Sequence, residues 1–315
     1  MAPTREELFT SFPDDVATAP LVTISLRKLD SDDAQEKERL FEASKSLGFF
    51  YLDMRDCAHG EALLKGSDDM FDLNEKFYDL PLEEKTKYDF AAKGMYFGYK
   101  GMGAEVIDGK GTKDKNEIYN ISKDDILSIS DPLPAPALIT NNRPNLASYI
   151  YANNAVLTTL FTSLAASLQL PPSAFSLTIL FNRVGGLQVL LPNTSDWVYV
   201  RPMPGCAIIN LGDAMVKFSA GILRSNMHRV VAPPGTQENL VRYSLVYFSR
   251  PEYDVKMKRI EGGLVGRVAN DGEVEDESTR EWLKRRHQGR KVQFFKGAES
   301  WEGAMGTEAK PQIAA

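Results

Sequence analysis

Histidine is scarce in this 315-residue chain: His59, His228 and His287 are all it has, and they lie far apart. The scarcity bears on any metal chemistry, because a single imidazole holds a catalytic ion poorly. Cysteine is scarcer still. Cys57 and Cys206 form neither a disulfide framework nor a metal-binding spacing, so both read as reduced side chains packed inside. No apolar run reaches the 18 or more residues of a membrane span, and "MAPTREELFTSFPDD" lacks the apolar stretch of a secretory leader. Positive charge is not in excess either. Lys and Arg total 37 against 43 Asp and Glu, a net charge of -6, which argues against a nucleic-acid-binding surface. These absences predict a soluble cytoplasmic protein with a small-molecule partner, no nucleic acid and no membrane.

What is present reads as an ordinary globular protein, with 43% hydrophobic and 25% charged residues, long enough for a sizeable core. "LVTISLRKL" predicts a strand entering a loop. In "SDDAQEKERLFEASKSLG" Ser31 can cap a helix that Gly48 stops. "FFYLDM" predicts a second strand. A helix follows from about Glu61 until Pro81, and a long one from Pro144, whose stripe runs through Leu146, Ile150, Leu157, Phe161, Leu164 and Leu168. The glycines of "AAKGMYFGYKGMGAE" do not follow a strand as a phosphate-binding turn requires. From Leu177 to Pro251 the texture changes to six short strands, "LTILF", "LQVLL", "WVYV", "CAIIN", "HRVVA" and "YSLVYFS", separated by turn signals such as "NRVGG" and "APPG". That is the pattern of a β-sandwich or barrel. "STREWLKRRHQGRK" predicts one more amphipathic helix with a solvated basic face, followed by a loose tail.

Six motifs in order, "GFFYLDM", "FYDLPLEEKTKY", "GGLQVL", "INLGD", "MHRVV" and "VRYSLVYFSRP", resemble the isopenicillin-N-synthase-like branch of the Fe(II)/2-oxoglutarate-dependent dioxygenases. The tail resembles fungal members of that branch. The resemblance implies a mainly β fold with flanking helices, a double-stranded β-helix or jelly-roll barrel. It divides the chain into an N-terminal dioxygenase-like α/β region (1–135), the long helix (136–175), the C-terminal part of the jelly roll (176–258) and a closing helix with tail (259–315). It implies Fe(II) and 2-oxoglutarate as cofactors, with the ion held by two His and one carboxylate. His228 resembles the distal histidine of that triad, and Arg242 and Ser244 resemble the pair that grips the far carboxylate of 2-oxoglutarate. Tyr96, Phe97 and Tyr119 are the candidates for the substrate pocket.

The H-x-D motif that supplies the other two ligands belongs just before "LTILF". The residues there are "PPSAFS", with no His, Asp or Glu. "LQLPPSAF" resembles the end of the long helix and "SLTILF" the third barrel strand, so the first two core strands are missing and the barrel is expected to be incomplete. Asp196 and Asp213 read as turn residues, His59 as a loop histidine and His287 as a solvated one, so no second triad is apparent. Three readings stay open: a working oxygenase on a small organic substrate, a non-catalytic pseudoenzyme, or a truncated or mis-spliced product of an active gene. In the family the first strand pairs with the eighth and the second with the seventh. Their loss predicts open edges at "YSLVYFS" and "HRVVA" and self-association through them.

Overall fold

A computed structural model describes residues 5–171, 175–269 and 276–304. Three residues of the expected ligand segment, 172–174, and the tail from 305 onward lie outside these. Ten strands run in chain order among the described residues: β1 (Thr23–Ser25), β2 (Phe49–Asp53), β3 (Gly98–Lys100), β4 (Ile118–Asn120), β5 (Leu177–Asn182), β6 (Leu187–Leu190), β7 (Trp197–Tyr199), β8 (Cys206–Leu211), β9 (His228–Val230) and β10 (Ser244–Phe248). The last six are those expected from the pattern of short apolar runs. The chain divides into two compact units, one built from residues 1–67 and 152–279, the other from 68–151 and 280–305.

The first unit holds two sheets, one ordered β1-β2-β8-β5-β10 and one ordered β7-β6-β9. Side chains alternate across a strand, so each buried strand feeds two faces. On β2, Phe49 and Tyr51 join Leu180 of β5 and Ile208 of β8 against Leu187, Val189 and Val198 of the smaller sheet, forming the core between the sheets. Phe50 and Leu52 point the other way and are fully buried. The continuous run "FFYLD" is thus the signature of a strand covered on both sides.

Among the described residues the sandwich does not close into a barrel. Among these residues β10 pairs with β5 alone and β9 with β6 alone, so each ends its sheet. Register shows which faces are left open. Val246 lies opposite Leu180, and Val230 opposite Leu187, both partners belonging to the core. Yet Val230 is 62% exposed, Val246 38% and Phe248 49%. The inward faces of β9 and β10 are open to solvent, as expected for a jelly roll without its first two strands. β1 pairs with β2 and β2 with β8, at the far end of the larger sheet, so they cover neither edge.

Local chemistry corrects the reading of the N-terminal segment. The strand stops at Ser25, whose side chain caps a short helix, Leu26–Asp30. Ser31 ends that helix and does not start the next; its hydroxyl donates to the Lys28 carbonyl at 3.0 Å. The cap of the Ala34–Ser46 helix is Asp33, whose carboxylate accepts from the Glu36 amide at 2.8 Å. An oxygen at N-cap reaches the third helical amide, and only Asp33 has that spacing. Gly48 does adopt the left-handed stop, φ 68°. Its Cα hydrogen faces the Arg224 carbonyl so closely that a Cβ would sit 2.1 Å from that oxygen.

In the second unit β3 and β4 form an antiparallel pair with Tyr99 opposite Tyr119. Lys85, buried, donates to Glu117 at 2.8 Å, and Arg143 to Asp125 at 2.8 Å. Helix Thr279–Gln288 buries Trp282 and turns basic residues outward, as its pattern predicts, although Arg286 lies over the Trp282 ring.

Candidate active site

His228 opens β9 opposite Val189, which places the imidazole on the inward face of the smaller sheet. Its Nδ1 lies 3.0 Å from the Asn226 carbonyl. A carbonyl can only accept, so in the neutral ring Nδ1 carries the proton and Nε2 the lone pair, the tautomer of a metal-ligating histidine. The ring meets Phe49 edge-on at 5.4 Å. Of the segment expected to hold the other ligands, Pro171, Phe175 and Ser176 are described, and none carries an imidazole or carboxylate. Ser176, just before β5, is tied instead to the end of β10, its hydroxyl donating to the Ser249 carbonyl at 2.8 Å.

Asp196 and Asp213 serve turns, as read from sequence. The Asp196 amide donates to the Thr194 hydroxyl at 3.0 Å, and Asp213 accepts from Ser225 at 2.7 Å at the head of a short helix. His287 is not simply solvated: its ring lies 4.4 Å from that of Tyr96. His59 is not in a loop, standing in the first turn of helix Ala58–Tyr78. Among the described residues the one group of three His, Cys, Asp or Glu side chains able to share an ion is Asp30, Cys57 and His59; His228 is not part of it.

Arg242 and Ser244 come together. Ser244 faces inward on β10 opposite Asn182. The Arg242 guanidinium donates to the Ser244 hydroxyl at 2.5 Å, to Asn182 Oδ1 at 2.9 Å and to the Gly185 carbonyl at 2.8 Å. Asn182 in turn donates to Ser244 at 2.9 Å. All three acceptors are neutral, and no carboxylate pairs with Arg242 among the described residues. Burial lowers its pKa to about 10, which still leaves it charged at neutral pH. A fork of donors oriented by neutral groups and short of a counter-ion is a carboxylate-binding arrangement. Sequence reading missed Asn182 and the glycine pair. The signal was the "NRVGG" turn: at Gly186, φ 112°, a Cβ would lie 2.6 Å from the Val231 carbonyl and 3.2 Å from the Arg242 side chain.

Tyr96, Phe97 and Tyr119 lie in the second unit. Tyr96 and Phe97 meet edge-on at 5.7 Å, and Tyr119 packs on Phe77 at 4.4 Å. Burial raises the Tyr119 phenol far above its ordinary range. No helix among the described residues is long and apolar enough to cross a membrane.

Comparison with known proteins identifies the family. Residues 19–144 match the family model of the non-haem dioxygenase N-terminal region named for morphine synthesis, and residues 161–251 that of the 2OG-Fe(II) oxygenase superfamily. The chain is 30% identical to the 2-oxoglutarate-dependent dioxygenase frbH of Dothideomycetidae sp., over 79% of this chain and 88% of that one. It is 28% identical to gloE of Glarea lozoyensis, described in the same words, over 78% and 84%. Among solved structures it is similar to a full-length Neurospora crassa protein crystallised in complex with alpha-KG and 5-formyluracil, with a TM-score of 0.68 and 19% identity, covering 87% of this chain and 97% of that one. It is also similar to the rice dioxygenase for auxin oxidation, TM-score 0.59 and 21% identity, covering 89% and 99%. These structures share the fold, and the 88% of a 30%-identical relative that the chain spans shows the family: the chain belongs to the isopenicillin-N-synthase-like branch of the Fe(II)/2-oxoglutarate oxygenase superfamily.

Proposed function

We propose that this chain keeps the cosubstrate anchor of an oxygenase for small organic molecules, with Arg242 and Ser244 holding the far carboxylate of 2-oxoglutarate, and that it does not turn over as it stands. The observation that carries the first half is the charged guanidinium of Arg242, half-buried and held, among the described residues, by neutral acceptors. In this reading Tyr96, Phe97 and Tyr119 serve the substrate, a role that rests on the family resemblance.

The second half rests on the donor set. A ferrous ion that reacts with O2 needs three protein ligands on one face, and the residues present do not fit it. His228 has the right tautomer and faces inward, but it belongs to no three-ligand group among the described residues. The residues present therefore support no step of oxidation. An omitted block between Phe175 and Ser176 accounts for both the missing ligands and the missing strands. It is supported by the match to frbH, which extends over 289 aligned positions while using only 79% of this chain, so the relative carries residues with no counterpart here. An intron between the codons for Phe175 and Ser176 that encodes H-x-D in frame is the expected genomic observation, and contiguous coding sequence there would favour a true pseudoenzyme. A cytosolic location is supported by composition alone.

The test is calorimetric titration of the purified chain with 2-oxoglutarate, without metal. Charged hydrogen bonds of this kind contribute about 1.5–3 kcal/mol each, so a residual affinity near the millimolar level, about -4 kcal/mol, is expected and should vanish in Arg242→Ala. Micromolar binding unaffected by Arg242→Ala would place the acid elsewhere. Succinate formation with ferrous iron and ascorbate would refute the claim of no turnover.

A further inference from the structure

β1 and β2 run parallel, with Ser25 beside Asp53, so the segments that follow them leave the sheet at the same end. The first becomes helix Leu26–Asp30 and the second the turn that leads into helix Ala58–Tyr78. Residues 27 apart in sequence meet there. The Cys57 thiol donates to Asp30 Oδ2 at 3.0 Å, and His59 Nε2 lies 3.2 Å from the same oxygen and 3.7 Å from Cys57 Sγ. Met54 bonds back to Gly205, and Gly60 packs so tightly on this turn that a Cβ would lie 2.2 Å from the Met54 carbonyl. The turn carrying Cys57 and His59 is therefore held against the sheet end.

We propose that Asp30, Cys57 and His59 form a binding site for a borderline-soft divalent cation of the zinc class, separate from the oxygenase site and independent of His228. A thiolate, an imidazole and a carboxylate are the donor types zinc takes. A hard cation such as Ca²⁺ or Mg²⁺ would not choose the sulfur. Geometry agrees. Bond lengths of about 2.0–2.3 Å in a tetrahedron set neighbouring donor atoms roughly 3.3–3.6 Å apart, and the three separations here are 3.0, 3.2 and 3.7 Å. Only the sulfur–oxygen pair must widen, as the thiol proton between them gives way to the ion. Burial and the bond to Asp30 both raise the Cys57 pKa, so without a cation it stays a protonated donor.

The carboxylate is also braced from behind. Thr159, on the long helix Arg143–Ser167, donates to Asp30 Oδ1 at 2.8 Å, which leaves Oδ2 for the ion. Such outer partners orient metal ligands. A cation here would join the end of one helix to the start of a second and, through Thr159, to a third. Water would take the fourth position, which makes the site a clamp open on one side.

Cobalt(II) titration of the whole purified chain under reducing, anaerobic conditions tests this, because a thiolate bound to Co²⁺ gives a near-ultraviolet charge-transfer band. One equivalent per chain is expected, displaced by Zn²⁺ and unchanged in Cys206→Ser and His228→Ala. The band should be lost in Cys57→Ser. Asp30→Asn, at an exposed carboxylate, covers the case in which Cys57→Ser fails to fold and should weaken binding. Thr159→Val should weaken it by about 10–100-fold, the usual effect of removing an outer partner. A wild-type chain without the band, a band that survives Cys57→Ser, or one lost in His228→Ala would overturn the assignment.

Discussion

The imidazole of His228 meets the ring of Phe49 edge-on, 5.4 Å between centroids and 63° between planes. Phe49 is 2% exposed and part of the core between the sheets, so the core itself orients the candidate iron ligand. His228 is exposed, and its replacement should cost little: His228→Ala is expected to lower stability by no more than about 0.5–1.5 kcal/mol, the worth of one ring pair. Iron content after anaerobic reconstitution should be the same in both proteins. Stoichiometric ferrous iron that disappears in His228→Ala would show a working centre.

The acid anchor depends on Gly186 as much as on Arg242. An alanine there must hold φ 112° and push its Cβ toward the Val231 carbonyl and the Arg242 stem. Gly186→Ala is therefore expected to destabilise the fold by about 1–3 kcal/mol and to abolish residual 2-oxoglutarate binding. Arg242→Lys should retain charge but lose binding, because a point charge cannot copy the fork. Equal binding by the lysine variant in calorimetry would reduce the site to simple electrostatics.

Much of this was legible in sequence, and particular residues show why. The strands β5 to β10 announce themselves because each is a short apolar run bounded by Gly, Pro or Asn turns. Arg242 and Ser244 are two residues apart, so one strand end delivers both. Asn182 was harder, since it joins them only through the β5–β10 register. The meeting of Asp30 with Cys57 was invisible for the same reason: it depends on two strands being parallel, which neither segment encodes alone. Ser31 misled because caps are read by residue type, whereas reach to the third amide decides, and Asp33 has it.

Buried Cys206, on β8, gives the fold an alkaline limit. Burial first, and the Asp53 carboxylate second, raise its thiol pKa to about 11 from an ordinary value of 9.0. The unfolded chain therefore loses this proton earlier than the folded one. The resulting stability is fully present below pH 9 and is lost as pH rises toward 11. Its size is on the order of 2–3 kcal/mol. Melting temperatures measured from pH 8 to 11 should fall less steeply in Cys206→Ala than in the native chain, whatever the absolute cost of the cavity. Parallel curves would remove Cys206 as the cause.

The open sheet edges should govern behaviour in solution. β9 and β10 each end a sheet among the described residues, and on their inward faces Val230 and Val246 are exposed opposite buried Leu187 and Leu180, with Phe248 exposed beyond them. Unpaired backbone groups beside apolar side chains favour strand addition from another chain. We therefore expect the native chain to self-associate, reversibly at low concentration and into larger species on warming. Charge on the open faces should oppose this, so Val230→Lys with Val246→Lys is expected to shift size-exclusion profiles toward monomer without lowering the melting temperature by much, since both positions are exposed. Inserting a family-type segment with both strands and H-x-D between Phe175 and Ser176 should do more. It supplies partners for both edges, covers both inward faces and returns two ligands to His228, so one insertion should give a soluble monomer that also binds iron. A native chain that is monodisperse and melts cooperatively would mean the edges are protected by some other means, and would favour a pseudoenzyme adapted to its missing strands.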